Sequence, residues 1–208
     1  MRHLSKLPLL AASVMLPLCG FAASADNAQT VSAGWKVQEI RYSYVGFTTA
    51  YSCDAAEDKI KDILVVLGAH PSTRVQAQGC NFNHPSRNFF VNITTASPAP
   101  AAEAATPASG KSRQELLQRL GTKNPIGSDQ FPAVWKSVDL SKDRQLDLKP
   151  GDCELMEGLK QNVLPKLSVK IEDDQVQCTP HQMDISTPAL KVSALMPLAP
   201  VDQKQPTT

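Results

Sequence analysis

Cys53, Cys80, Cys153 and Cys178 are the residues of this chain whose type and spacing point most directly to chemistry. A thiol at a helix N-terminus has a depressed pKa and reacts as the thiolate. Cys53 and Cys153 both stand where a helical pattern opens, so a redox role must be weighed. Thioredoxin-like redox motifs use Cys-x-x-Cys, however, and none is present. The other chemistry is cross-linking. An even set of cysteines in a secreted chain reads as a disulfide framework, and four cysteines allow three pairings.

The remaining candidates are scattered. His70, His84 and His181 show neither a His-x-x-x-His nor a His-x-x-Glu spacing. His181-Gln182-Met183 together with Met156 could be imagined around a soft metal, but reads more simply as a turn. Glu172-Asp173-Asp174 lacks the fixed oxygen offsets of a calcium loop and reads as an acidic turn. No Gly-x-Ser-x-Gly and no glycine-rich phosphate loop occurs. No catalytic residue, cofactor site or metal site is therefore assigned. The aromatic residues are more suggestive. They make up only 5% of the chain, yet Tyr42, Tyr44, Phe47 and Tyr51 crowd together ahead of Cys53. Exposed, they would form a binding surface for a sugar or a peptide; turned inward, they would be core.

The elements that position these residues begin after a leader. Arg2, His3 and Lys6 precede an apolar run at 7–21, and Ala23-Ser24-Ala25 has the small-x-small form of a signal-peptidase site. The run is shorter than the ~20 residues that span a bilayer. Cys19 follows Leu18, where a lipoprotein signal needs a small residue, so lipidation is not expected. Residues 1–25 are thus read as a signal peptide. Its removal takes Arg2 and Lys6 and no acid, which leaves a nearly neutral chain. Nucleic acid and anionic membrane both recruit concentrated basic charge, so neither is an expected partner.

Residues 26–34 are polar and read as loose. Residues 35–45 form a strand pattern whose apolar parity slips between Val37 and Ile40, which predicts a bulge. Ala56, Ile60, Ile63, Leu64 and Leu67 share one helical face, with Asp54 and Glu57 in the first turn and Gly68 at the C-terminal cap position. Residues 74–78 alternate and read as a strand leading to Cys80; 89–94 is a further strand. Residues 97–112 are rich in Ala and Pro, with Pro98, Pro100 and Pro107, and read as an extended linker. A short helix is expected near Leu116, Leu117 and Leu120, and 121–132 reads as irregular.

The first pattern then returns. Trp135 stands before Cys153 at the interval that separates Trp35 from Cys53. A second helix carries Leu155, Met156, Leu159 and Val163 on one face and stops at Pro165. A strand at 167–171, an acidic turn, Cys178 and a strand at 190–195 follow. The expected fold is α+β: two degenerate βαββ halves with antiparallel sheets, at 26–96 and 113–196, and a disordered tail at 197–208. A helix of about 14 residues rises about 21 Å and a strand of seven or eight residues returns about 25 Å, which brings the chain after Cys80 back to Cys53. The same geometry, less cleanly, sets Cys178 beside Cys153. Each such loop would contribute roughly 3–3.5 kcal/mol by restricting the unfolded chain.

Tyr42-Ser43-Tyr44-Val45-Gly46-Phe47-Thr48-Thr49-Ala50-Tyr51-Ser52-Cys53-Asp54 resembles a block found in small secreted proteins of proteobacteria. Gly151-Asp152-Cys153-Glu154-Leu155, continuing to Val163-Leu164-Pro165, is similar to a second block of the same group. The resemblance implies the compartment and carries no activity. The functional expectation is a periplasmic or secreted, non-enzymatic module. It would bind an envelope protein or glycan by edge-strand pairing or through the aromatic surface. The alternative is an envelope-directed hydrolase or ligand-processing enzyme, for which a cleft gathering a histidine and carboxylates would be the sign.

Overall fold

The computed structural model describes residues 30–80, 84–104, 110–120, 130–182 and 185–198. The leader at 1–25 lies outside the described residues, as do Met183 and most of the tail. The chain is α+β, and its strands form one six-stranded antiparallel sheet. In the first half, β1 (Thr30–Val45), α1 (Cys53–Val66), β2 (Arg74–Gln78) and β3 (Asn88–Pro100) follow one another. In the second, β4 (Phe131–Asp139), α4 (Cys153–Asn162), β5 (Val169–Gln175) and β6 (Ala189–Pro197) repeat that order; α2 (Ala101–Ala104) and α3 (Gly110–Leu120) lie between. The strand order β2-β3-β1-β4-β6-β5 places β1 against β4 at the centre, with β2 and β5 at the edges.

Local sequence accounts for the first helix. The Ser52 side chain accepts from the Ala55 N–H at its start. At its end Gly68 adopts φ 89°, where a side chain would be strained, and Gly68 N–H and Ala69 N–H return to the Val65 and Leu64 carbonyls. The buried face is Ala56, Ile60, Ile63 and Leu64. They pack on Ile40, Tyr42 and Tyr44 of β1, Val75 of β2, and Phe89, Val91 and Ile93 of β3. The same continuous core takes in Leu155, Met156 and Leu159 of α4 and Leu190, Val192 and Ala194 of β6. The halves therefore share one core as well as one sheet.

Each half carries its own disulfide. Cys53–Cys80 has a Cα separation of 5.2 Å and Cys153–Cys178 one of 5.7 Å. Each ties a helix N-terminus to the residues just after the edge strand of its half, as the length argument expects.

Four expectations change. No bulge interrupts β1, whose register with β3 is continuous from Ala33↔Pro100 to Val45↔Asn88. The parity slips because both faces of the strand are covered. Ile40 faces the main core, while Val37 and Ala96 pack against Leu116 and Leu120 of α3 on the opposite face. β1 also begins at Thr30, within the stretch read as loose, because Thr30 to Ala33 pair with β4. The start of the Ala/Pro stretch is strand rather than linker: β3 runs to Pro100, with Ser97 and Ala99 buried. β2 pairs β3 only as far as Arg74↔Thr94, so beyond Thr94 β3 is an edge, where Pro98 and Pro100 have no outward N–H to satisfy. Finally, Glu172-Asp173-Asp174 lies within β5, and the bulge of the sheet falls there, between Ile171 and Asp173.

Candidate binding face

The expected aromatic surface is mostly interior. Tyr42 and Tyr44 are 6% and 2% exposed because β1 alternates inward from Ile40 onward, and Tyr51, bridged to Ser86 just before α1, is 7% exposed. Tyr44 packs tilted against Phe89 and edge-on against Tyr51. Phe47 is half-exposed and meets His181 edge-on, with ring centroids 4.4 Å apart.

Tyr51 belongs to a latch between the halves. Tyr51 Oη donates to Asp152 Oδ1 at 2.5 Å, Lys59 Nζ lies 2.6 Å from Asp152 Oδ2, and the Lys149 N–H donates to that same oxygen at 2.7 Å. Beside it, the Glu154 carboxylate accepts from the Phe47, Thr48 and Thr49 N–H groups and from Thr48 Oγ1, at 2.9 to 3.4 Å. Tyr44 Oη donates to the Thr49 carbonyl at 2.9 Å. A Cβ on Gly46 would overlap Tyr44 Oη, and one on Gly151 would sit 3.0 Å from Thr49 Oγ1, so both positions need the close approach of glycine. The two sequence blocks singled out above thus meet face to face.

Electrostatics agree with a structural latch. Burial, then the hydrogen bond and charge of Asp152, push the Tyr51 phenol far above its usual range. Burial, and after it the Glu154 charge, does the same to Tyr44. Burial tends to raise Glu154, but its backbone donors outweigh that and hold the carboxyl below its usual value. A carboxylate held ionised by several donors is a poor general base. His181 comes near it only through Phe47, and the described side chains of the other two histidines lie elsewhere. His70 bonds Ser72 and meets Trp35 edge-on, and burial lowers its pKa; His84 is exposed on the segment before β3. Among the described residues no group of three or more His, Cys, Asp or Glu side chains could hold a metal.

Both edge strands carry features that hinder strand addition. On β2 the Ala77 N–H is taken by Glu57 Oε1 of α1 at 2.8 Å. On β5 the bulge and the carboxylates of Glu172, Asp173 and Asp174 break the ladder, a device that discourages edge pairing.

The outer face of the first half is different. β1, β3 and β2 present three rows of side chains away from the core: Glu39–Thr94–Arg74, Arg41–Asn92–Gln76 and Ser43–Phe90–Gln78. α3 covers this face over Val37 and Ala96 and ends with Arg119 beside Glu39. Beyond it the rows floor an open trough of about 730 Å³. Glu39 is engaged by Arg41 at 2.7 Å and Arg119 at 2.9 Å. Arg41, foremost by its hydrogen bond, lowers the Glu39 pKa. Arg74, Gln76, Gln78 and Asn92 make no side-chain hydrogen bond among the described residues, and Phe90 is 65% exposed. The matching face of the second half spends its charges internally. Lys170 Nζ lies 4.4 Å from the Trp135 ring centre, and Glu172 binds Ser137 and Lys191 at 2.7 and 3.3 Å.

Sequence reasoning missed this trough. The alternate polar positions of 74–78, read as strand, were the available signal. Their meeting with β1 and α3 depends on the sheet order. No family model, no curated protein and no solved structure matches the chain.

Proposed function

We propose that the chain is a secreted or periplasmic, disulfide-stapled, non-enzymatic module, and that it binds an envelope partner through the trough on its first half. The trough carries the reading. It gathers an arginine, three amides and an exposed phenylalanine, none of which the fold uses for itself, while the corresponding face of the second half is internally paired. A trough of this size is within the range of ligand sites, roughly 300–1,000 Å³. The leader pattern, the two disulfides and the resemblance of the two sequence blocks support the compartment. Among the described residues no helix is long and apolar enough to cross a membrane. The latch explains Asp152, Glu154 and Tyr51 without catalysis.

The test is site-specific photo-crosslinking in intact cells, with the probe at Gln76 in the trough or at Lys170 on the opposite half. The reading expects a discrete adduct from Gln76 and none from Lys170. Failure of the Gln76 probe to capture any specific species would sink it.

A further inference from the structure

The ligand class follows from the trough's side chains, and this inference rests on the trough being the binding face. We propose that it holds an acidic glycan, a sugar chain bearing carboxylates. Arg74 is the source of the charge preference. It is exposed and has no carboxylate within 4.0 Å among the described residues, although Glu57 and Asp58 border the depression on its far side. Arg41 and Arg119 straddle Glu39, so the trough holds three guanidinium groups to one carboxylate. Guanidinium binds a carboxylate through two parallel hydrogen bonds, a geometry ammonium cannot match.

The amides argue for a sugar over a peptide. Gln76, Gln78 and Asn92 each offer a donor pair and an acceptor. Sugar hydroxyls also donate and accept, and so match both ends of an amide. A peptide lying here would have no backbone to pair with. The floor is the face of a three-stranded ladder whose inter-strand backbone groups are already bonded to one another, and on the β2 edge Glu57 takes the Ala77 N–H. An extended peptide would leave its own N–H and C=O groups without backbone partners, whereas a glycan has no such ladder to satisfy. Phe90 presents a bare ring in the last row, suited to the apolar face of a pyranose. From the Arg74 row to the Gln78 row is about 14 Å at 3.4 Å per residue, room for an oligosaccharide.

The test uses the oxidised chain after leader removal, titrated calorimetrically with polygalacturonate, dextran and poly-glutamate of matched length. Polygalacturonate is expected to bind, more weakly as salt is raised, and dextran is not. Arg74→Gln and Phe90→Ala are each expected to weaken binding about tenfold, the scale of one charge-assisted or stacking contact. Arg74→Lys should recover part of the loss, and Arg144→Gln, on a turn outside the trough, should change nothing. All three sites are exposed, so the variants should keep the parent's unfolding midpoint. Equal or tighter binding of poly-glutamate through Arg74 and Phe90 would overturn the glycan assignment and leave the binding face standing. Polygalacturonate binding that ignores both substitutions, or no binding of any probe, would also overturn it. The Gln76 crosslink then judges the face by itself.

Discussion

Tyr42, Tyr44 and Tyr51 are the three tyrosines of the chain, and burial leads the causes that raise all three above the usual phenol value of 10.0. A group whose folded pKa is raised adds stability below its unfolded pKa, and that stability is lost as pH rises. Tyrosinate absorbance should therefore stay flat through pH 10 and rise only as the fold is lost. A tyrosine that ionises near pH 10 in the folded protein would contradict the burial. Glu154 has the opposite sign. Its folded pKa lies below the usual 4.5, so its contribution is present above that value and is lost as pH falls through the folded pKa. In urea unfolding, Glu154→Gln should cost about 1–2 kcal/mol at neutral pH, allowing for solvent screening, with the gap to the parent closing below pH 4.5. Asp152 is almost fully buried and holds Tyr51, Lys59 and the Lys149 N–H, so Asp152→Ala should cost about 3–5 kcal/mol, as removal of one partner of a buried ion pair does. An Asp152 variant as stable as the parent would show that the halves do not depend on the latch.

At the scale of elements, the bulge and acids of β5 keep an exposed edge from pairing with another copy. Replacing both Glu172 and Asp174 by Thr should promote self-association, read as a concentration-dependent rise in sedimentation coefficient. An unchanged sedimentation coefficient would mean that the edge is protected by something else. The helices were legible because each rests on a local period, Ile60, Ile63 and Leu64 for α1 and Leu155, Met156 and Leu159 for α4, and α1 has local caps as well. β2 was legible from strict alternation. β1 misled because Val37 and Ile40 face different layers, and one-dimensional parity cannot distinguish a second cover from a bulge. The strand end at Ser97 to Pro100 was hidden because small residues and prolines match linker composition. Only the early end of β2 makes them acceptable in a sheet.

At the scale of the molecule, the two disulfides were legible and the union of the halves was not. Helix and strand lengths set Cys53 near Cys80. Nothing local says that Glu154 reaches Phe47 and Thr48, or that β1 lies beside β4. One continuous core implies one cooperative unit. Replacing Cys53 and Cys80 together by Ala should cost about 3 kcal/mol and still leave a single unfolding transition in calorimetry. Two resolved transitions would show halves that fold separately. The trough was hidden too, since Arg74, Phe90 and Arg119 come from three elements that the sequence reading kept apart. The central claim is that one outer face of this stapled unit does the binding. Hydroxyl-radical footprinting with and without a solubilised envelope fraction tests it most directly, because Phe90 and Phe47 are chemically alike, both exposed, and on different surfaces. The account predicts that the envelope fraction protects Phe90 and leaves Phe47 unchanged. Protection of Phe47 with Phe90 still reactive would move the binding site to the cleft beside Glu154 and contradict it.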